Sequence, residues 1–356
     1  MSVEGIDAKL LEAATPAEKK RYKLLLERKI AALSPLDYAC WLNPETIRYP
    51  HIEYINDHIV ALVEYRLYHS GPGPEAKWFY VVGEETFPVK DDNYENIPDY
   101  VDEFYGEHPT TGERVVFRLA MAVGPRHGKS YLTTEYTPSW YLFRHPEREI
   151  AFATYSDEFA QEWGVKMKNQ LVDHEKSTGL KLRGGRTSAA ARLNLESGGS
   201  MRFVGTGGSL TGTGYQLGII DDPFKDQAEA DSQAIRNQKA KWYSSTFSTR
   251  KTRVPGKGLP VEIMMFTRWH EDDIAGRFAY DDEGQPAEDW CVLRLPSIAE
   301  DDDPLGREPG EALCPSIKTR AELNAIQKQD PSGFASLYQG DPSQDETGMF
   351  GSFNHY

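Results

Sequence analysis

The chain has 356 residues, with 39% hydrophobic and 27% charged side chains and a formal net charge of −15. That balance describes a globular protein with room for one large α/β domain or two smaller ones. It excludes a general basic coat over nucleic acid, so any nucleic-acid contact is a local patch on an acidic body.

No apolar run reaches the length of a membrane span, and no N-terminal signal pattern is present. Cys40, Cys291 and Cys314 are far apart and odd in number. They point to buried thiols in a reducing compartment, not to a disulfide framework or a metal site.

Residues 1–66 read mostly as helix. Pro16 to Ala32 is rich in Lys, Glu, Arg and Leu, with Thr15 as a candidate N-cap. Ile52 to Leu67 has apolar residues at helical spacing, and Trp41-Leu42-Asn43-Pro44 between the two reads as a turn. Residues 69–113 differ. They hold Gly71-Pro72-Gly73-Pro74 and an acidic run from Asp91 to Glu107, interleaved with Tyr94, Tyr100, Phe104 and Tyr105. This stretch reads as an insertion over the surface.

From Val115 the chain alternates strands and helices. Val115 to Met121 is an apolar run that predicts a buried strand. Tyr131 to Phe143 has helix-like spacing up to Pro138. Between them lies Val123-Gly124-Pro125-Arg126-His127-Gly128-Lys129-Ser130. Strand, Gly-containing loop, Gly-Lys-Ser and helix is the arrangement of a phosphate-binding P-loop. The loop Gly124, Pro125, Arg126, His127, Gly128, Lys129 and Ser130 would bind the nucleotide, with the backbone N–H groups of its non-proline residues pointing at the β- and γ-phosphates. Lys129 adds a point charge, and the Ser130 hydroxyl can ligate Mg²⁺. The usual leading Gly position holds Val123, and Gly124 comes one residue later. His127 is either a loop spacer or faces the phosphates. The N-terminal helices either cover a sheet edge or contribute to the base pocket.

Glu149 to Thr154 predicts a second strand, capped by Ser156 or Asp157 into a helix to about Leu171. Arg192 to Leu195 and Ser200 to Val204 read as a hairpin through Gly198-Gly199. Gly205 to Gly214 is a Gly/Thr/Ser-rich loop, either a connector or a track for a phosphate backbone. Asp231 to Thr246 and Asp273 to Tyr280 read as helices, and Val261 to Phe266 and Trp290 to Leu295 as strands. The alternation predicts a mainly parallel central β-sheet with helices on both faces.

Leu217 to Asp222 is the second motif. Four largely apolar residues followed by two acids describe a buried strand that delivers carboxylates at its C-terminal end, where open α/β sheets bind ligands. Asp221 suits Mg²⁺ and Asp222 suits orienting and deprotonating a water. Together with the P-loop this predicts a P-loop NTPase that binds a nucleoside triphosphate with Mg²⁺. Arg250, Lys251, Arg253 and Lys257 form a short basic loop, either a DNA contact or a solvated loop balancing an acidic face.

At this point the chain resembles a family. Gly124 to Ser130, Thr211-Gly212-Thr213-Gly214, Ile219 to Pro223 and Thr267-Arg268-Trp269-His270-Glu271-Asp272-Asp273 occur in the order seen in large terminase subunits of tailed bacteriophages. The resemblance covers roughly residues 40–350. It implies an ATPase of the ASCE P-loop type that drives double-stranded DNA into a procapsid through a portal protein. It further implies a small terminase subunit as partner and a homo-oligomeric ring on the portal, a monomer in isolation, in the host cytoplasm without a membrane.

It implies residue roles too. Arg126 matches the Arg ahead of the Gly-Lys pair and would stabilise charge on the transferring phosphoryl. Thr267 resembles the start of the coupling motif, which senses the γ-phosphate. The other reading of residues 267–270 is strand-end packing by Trp269 beside an exposed Arg268. Arg144, Arg148 and Arg202 are unranked candidates for a finger supplied to a neighbouring subunit. Asp222 departs from the family, where many relatives have Glu. Residues 1–300 would be the ATPase core, 301–345 a lid or linker subdomain, and 346–356 the approach to a nuclease domain. No nuclease activity is expected of this chain. A helicase-like translocase and a nucleotide-gated assembly module are the alternatives.

Overall fold

The computed structural model describes residues 15–64, 66–69, 78–82, 85–88, 114–252, 260–287 and 290–342. Arg253 and Lys257, the acidic run after Asp91 and the stretch 346–356 therefore lie outside the described residues.

Among the described residues three helices come first, Pro16–Ala31, Pro35–Leu42 and Pro50–Glu64. Four short strands follow: β1 (Arg66–His69), β2 (Trp78–Val82), β3 (Glu85–Pro88) and β4 (Arg114–Val116). They pair antiparallel in the order β3-β2-β1-β4. So the stretch expected to be a surface insertion carries a small sheet, and that sheet begins at Arg66. The single strand expected from Val115 to Met121 is two. The chain leaves β4 at Phe117 and enters β5 (Arg118–Val123) of a second sheet.

That second sheet has seven strands. After β5 come β6 (Glu149–Thr154), β7 (Arg192–Asn194), β8 (Ser200–Gly205), β9 (Leu217–Asp221), β10 (Val261–Phe266) and β11 (Trp290–Leu295). Their order is β11-β5-β10-β9-β6-β8-β7. All neighbours run parallel except β7 and β8, the expected hairpin. Both faces are covered, as near-continuous apolar strands require. Leu119, Met121, Phe152, Ile219, Ile263 and Met265 belong to one core, with helix Pro50–Glu64 and the helix after the P-loop. Ala120, Ala122, Ala151, Ala153, Ile220, Met264 and Phe266 belong to the other, with Trp242 and Tyr243.

Caps start the helices where the sequence offers an oxygen. Ser156 Oγ accepts from Phe159 N at 3.2 Å and starts Asp157–Asp173. Asp273 Oδ1 accepts from Gly276 N at 2.7 Å and starts Ile274–Phe278. Ser232 interrupts the helix expected from Asp231 to Thr246 and caps Gln233–Trp242. Pro138 does not end its helix. Residues Tyr131–Tyr136 form π-helix, and Thr137–Arg144 continues as α-helix with Pro138 in its first turn. Proline is tolerated there because its missing N–H has no partner to lose.

The order of β5, β10 and β9 positions the site. It sets the C-terminal ends of three adjacent parallel strands, about 4.8 Å apart, side by side. After β11 the chain builds a small satellite core from Ile298, Ala312, Leu323 and Phe334, under helices Arg320–Gln329 and Pro331–Gln339.

Candidate phosphate and metal site

The loop after β5 is held from inside. His127 is fully buried. Its Nδ1–H donates to the carbonyls of Gly124 at 3.2 Å and Pro125 at 3.0 Å. His51 Nε2–H, from helix Pro50–Glu64, donates to the His127 carbonyl at 2.9 Å. Burial pushes the His51 pKa down to about 4 and lowers that of His127. The imidazole of His127 thus braces the loop from inside. The N-terminal helices buttress the loop.

The displaced glycine has a physical reason. A Cβ on Gly124 would lie 2.3 Å from Ser297 Oγ, which follows β11. Gly128 adopts φ +80°, in the left-handed region that favours glycine. Arg126 also has positive φ, 68°, and leaves its side chain exposed at the loop.

Lys129, Asp222 and Thr267 converge. Lys129 Nζ donates to Asp222 Oδ1 at 2.9 Å and to Thr267 Oγ1 at 2.9 Å. Thr267 donates to the same Asp222 oxygen from its backbone N at 2.9 Å and its hydroxyl at 3.0 Å. Successive strand residues point to opposite faces. Asp222 escapes that rule because its φ is +44°, while its N–H still donates to the Met265 carbonyl at 2.9 Å. The left-handed turn brings its carboxylate to Lys129.

Asp221 is buried beside it. It accepts from Ser130 Oγ at 3.3 Å and from Thr134 Oγ1 at 2.7 Å. Burial, then the neighbouring Asp222 charge, raises the Asp221 pKa, and Lys129 and the two hydroxyls oppose the rise. A buried carboxylate with two hydroxyls and an acid at hand is a donor set that could hold a divalent cation.

Two supporting residues carried no motif in the sequence. Thr134 lies four residues after Ser130, so one helical turn brings both hydroxyls to Asp221. That spacing was a usable signal. Lys239 had none. Its buried ammonium donates to the Pro223 carbonyl at 2.6 Å and to Glu229 Oε2 at 2.7 Å. It therefore fastens the peptide that follows Asp222.

Other expected residues lie elsewhere. Arg250 and Lys251 pair with Tyr215, before the N-terminal end of β9, at the sheet edge opposite the P-loop. Lys251 Nζ lies 3.7 Å from buried Glu262. Arg144 Nη1 donates to the Ala32 carbonyl at 2.9 Å, and buried Arg148 donates to Tyr141 Oη at 3.1 Å. Both turn into the chain, whereas Arg202 lies on β8. Arg268, expected to be exposed if residues 267–270 only pack a strand end, is buried. Its Nε donates to Asp273 Oδ2 at 2.9 Å, and its carbonyl accepts from Ser336 Oγ of the last helix.

A family model described as "Terminase large subunit, T4likevirus-type, N-terminal" matches residues 121–350. Among solved structures the chain is similar to the crystal structure of the HK97 bacteriophage large terminase. The identity is 14% over 63% of this chain and 46% of that one, with a TM-score of 0.41. The chain thus spans less than half the length of that structure. No curated protein sequence matches it.

Proposed function

The chain belongs to the N-terminal part of the large terminase subunit family, and from that premise we propose that it hydrolyses ATP with Mg²⁺ to drive double-stranded DNA into a procapsid. The observation that carries this reading is the meeting of Lys129, Asp222 and Thr267 on one oxygen. A P-loop lysine, an acid and a strand-end hydroxyl are the groups needed to bind a γ-phosphate, activate water and report the phosphate's loss.

The residues fit a magnesium nucleotide. The P-loop amides and Lys129 would bind phosphate oxygens, and Ser130 and Asp221 would hold the cation. Bound there, Mg²⁺ would neutralise charge on the transferring phosphoryl. The protein's own part follows from the contacts. Lys129 Nζ bonds Asp222 Oδ1, so a γ-phosphate held by the same ammonium would compete for it and leave Asp222 Oδ1 to accept a water's proton. Thr267 touches both partners of the exchange. Its neighbour Arg268 bonds through its carbonyl to Ser336, so a shift at Thr267 has a direct path to the satellite core. Arg126, exposed at the loop, is free to reach the phosphoryl.

Portal protein, a small terminase subunit and a ring of copies in the host cytoplasm belong to the same proposal. Among the described residues no helix is long and apolar enough to cross a membrane. Steady-state ATP turnover of the purified chain, with and without duplex DNA and portal, tests the motor reading. Turnover that DNA and portal both raise supports it. Nucleotide binding with no turnover under any of these conditions overturns it in favour of a nucleotide-gated assembly module.

A further inference from the structure

The sheet ends at β7, and its outer strands carry an unusual pairing. Arg192 of β7 stands directly opposite Arg202 of β8. Cβ atoms so placed are about 4.5–5.5 Å apart, and like charges there destabilise the pair. One more segment lies outside β7. Leu182 bridges Leu195, and Arg183 N donates to the Asn194 carbonyl at 2.8 Å. That register sets Arg183 opposite Asn194, on the same face as Arg192. Three adjacent segments therefore line one face of the edge with three guanidinium groups.

Among the described residues none of the three has an ion-pair partner, and Nε of Arg202 is buried without a hydrogen bond. Glu196, the acid within these edge segments, is paired with Lys181 at 3.0 Å. Glu149 lies opposite Ser200, one strand further in. Edge strands carry charge to block edge-to-edge pairing, for which one lysine suffices. A triple of arginines on a chain of net charge −15 needs another reason.

Arg202 shares its face with Ala151, in the core opposite the one that packs against the P-loop helix. Strand β6 separates β8 from β9 and its acids. The strip is therefore separate from the nucleotide site. Guanidinium groups bind phosphate oxygens through two parallel N–H donors, and a row of them follows a row of phosphates.

We propose that Arg183, Arg192 and Arg202 form a contact for the phosphate backbone of duplex nucleic acid. The inference rests on the motor reading for the kind of polymer. Binding of a fluorescently labelled short duplex to the full chain, followed by anisotropy from 50 to 200 mM salt, tests it. Each phosphate contact contributes about 0.9 to the slope of log affinity against log salt concentration. The triple variant Arg183→Ala, Arg192→Ala, Arg202→Ala is expected to lower that slope by about 2–3. Arg183→Ala with Arg192→Ala, both exposed and safe for folding, should lower it by about 2. Affinity for a fluorescent ATP analogue should stay at the wild-type value in both.

Unchanged duplex affinity and slope, in variants that fold, would overturn the proposal and leave the motor reading standing. A wild-type chain that binds no duplex even at the lowest salt would overturn both. Unchanged duplex binding, with ATP turnover lost only at high protein concentration, would assign the strip to phosphates held by a neighbouring copy and overturn the nucleic-acid contact.

Discussion

Strand β10 carries a buried charge network at each end, and the two are built differently. At its N-terminal end Glu262 is saturated. Its carboxylate accepts from Arg118 Nε at 2.7 Å, Tyr215 Oη at 2.5 Å and Tyr243 Oη at 2.8 Å, with Lys251 at 3.7 Å. Burial raises its pKa, but the two cations and two phenols overcome that and hold it below the usual carboxylate range. At the C-terminal end one oxygen, Asp222 Oδ1, takes every donor. The Asp222 backbone is left-handed, and its side chain keeps 33% of its surface exposed. The first network is closed on itself and can only support the fold. The second has unused acceptor capacity and groups that can change partners. Substitutions at the closed end should therefore move stability and leave chemistry alone, and those at the open end the reverse.

The sharpest test is at the open end. Lys129→Ala removes the ammonium from Asp222 and from the expected phosphate position. Loss of one partner of a buried charge pair typically costs about 2–5 kcal/mol in binding. Titration of a fluorescent ATP analogue should show affinity reduced by at least ~30-fold, with turnover below detection. Asp222→Asn separates the two acids. It keeps shape and nearly all nucleotide affinity and removes the base, so turnover should fall by ~10²–10⁴-fold. Asp221→Ala should instead weaken Mg²⁺-dependent nucleotide binding as well. Turnover of Asp222→Asn within a few-fold of wild type would place the base elsewhere, with Glu271 the next acid to test.

Much of this end was legible in the sequence because its determinants are local. Gly128-Lys129-Ser130 and Asp221-Asp222 each lie at the end of an apolar run, and an apolar run of that length is a buried strand. What escaped was set by partners distant in the chain. The glycine displaced to position 124 makes sense only beside Ser297. No periodicity could announce that β10 slips between β5 and β9, or that Asp222 turns left-handed to meet Lys129. Pro138 failed as a stop signal because the π-helical turn before it had already broken the regular ladder. Arg268 was exposed only in the alternative reading of residues 267–270 as strand-end packing, and the partner that buries it, Asp273, is also the cap of the next helix.

A smaller effect is expected at Lys239, which braces the peptide after Asp222 from outside the site. Lys239→Met keeps the stem against Phe224, over whose ring the ammonium now sits at 4.8 Å, and frees the Pro223 carbonyl. Turnover should drop about tenfold, near one lost charged hydrogen bond's worth. KM for ATP should stay close to wild type, and Lys239→Arg should restore part of the loss. A variant that loses nucleotide affinity along with turnover would mean that the brace supports the whole pocket and not Asp222 alone.

The closed end should show the least effect on chemistry. Glu262→Gln leaves Arg118 and Lys251 without their buried counter-charge, which should destabilise the fold by ~3 kcal/mol at neutral pH, while turnover per folded molecule stays within about twofold. The pH dependence identifies the cause. The folded-state pKa of Glu262 lies below its ordinary value. Its ionised form therefore contributes stability that is fully present above the ordinary glutamate range and is lost as pH falls through the lower, folded-state value. The gap in unfolding midpoint between wild type and Glu262→Gln should then be widest near neutrality and shrink in acid, once the wild-type carboxyl is itself protonated. Denaturant unfolding from pH 7 down to about 3 spans that range. A gap independent of pH would mean that packing of the longer ionic cluster, and not the Glu262 charge, holds β10 between its neighbours. The two ends of the strand would then differ less in electrostatics than their contacts imply.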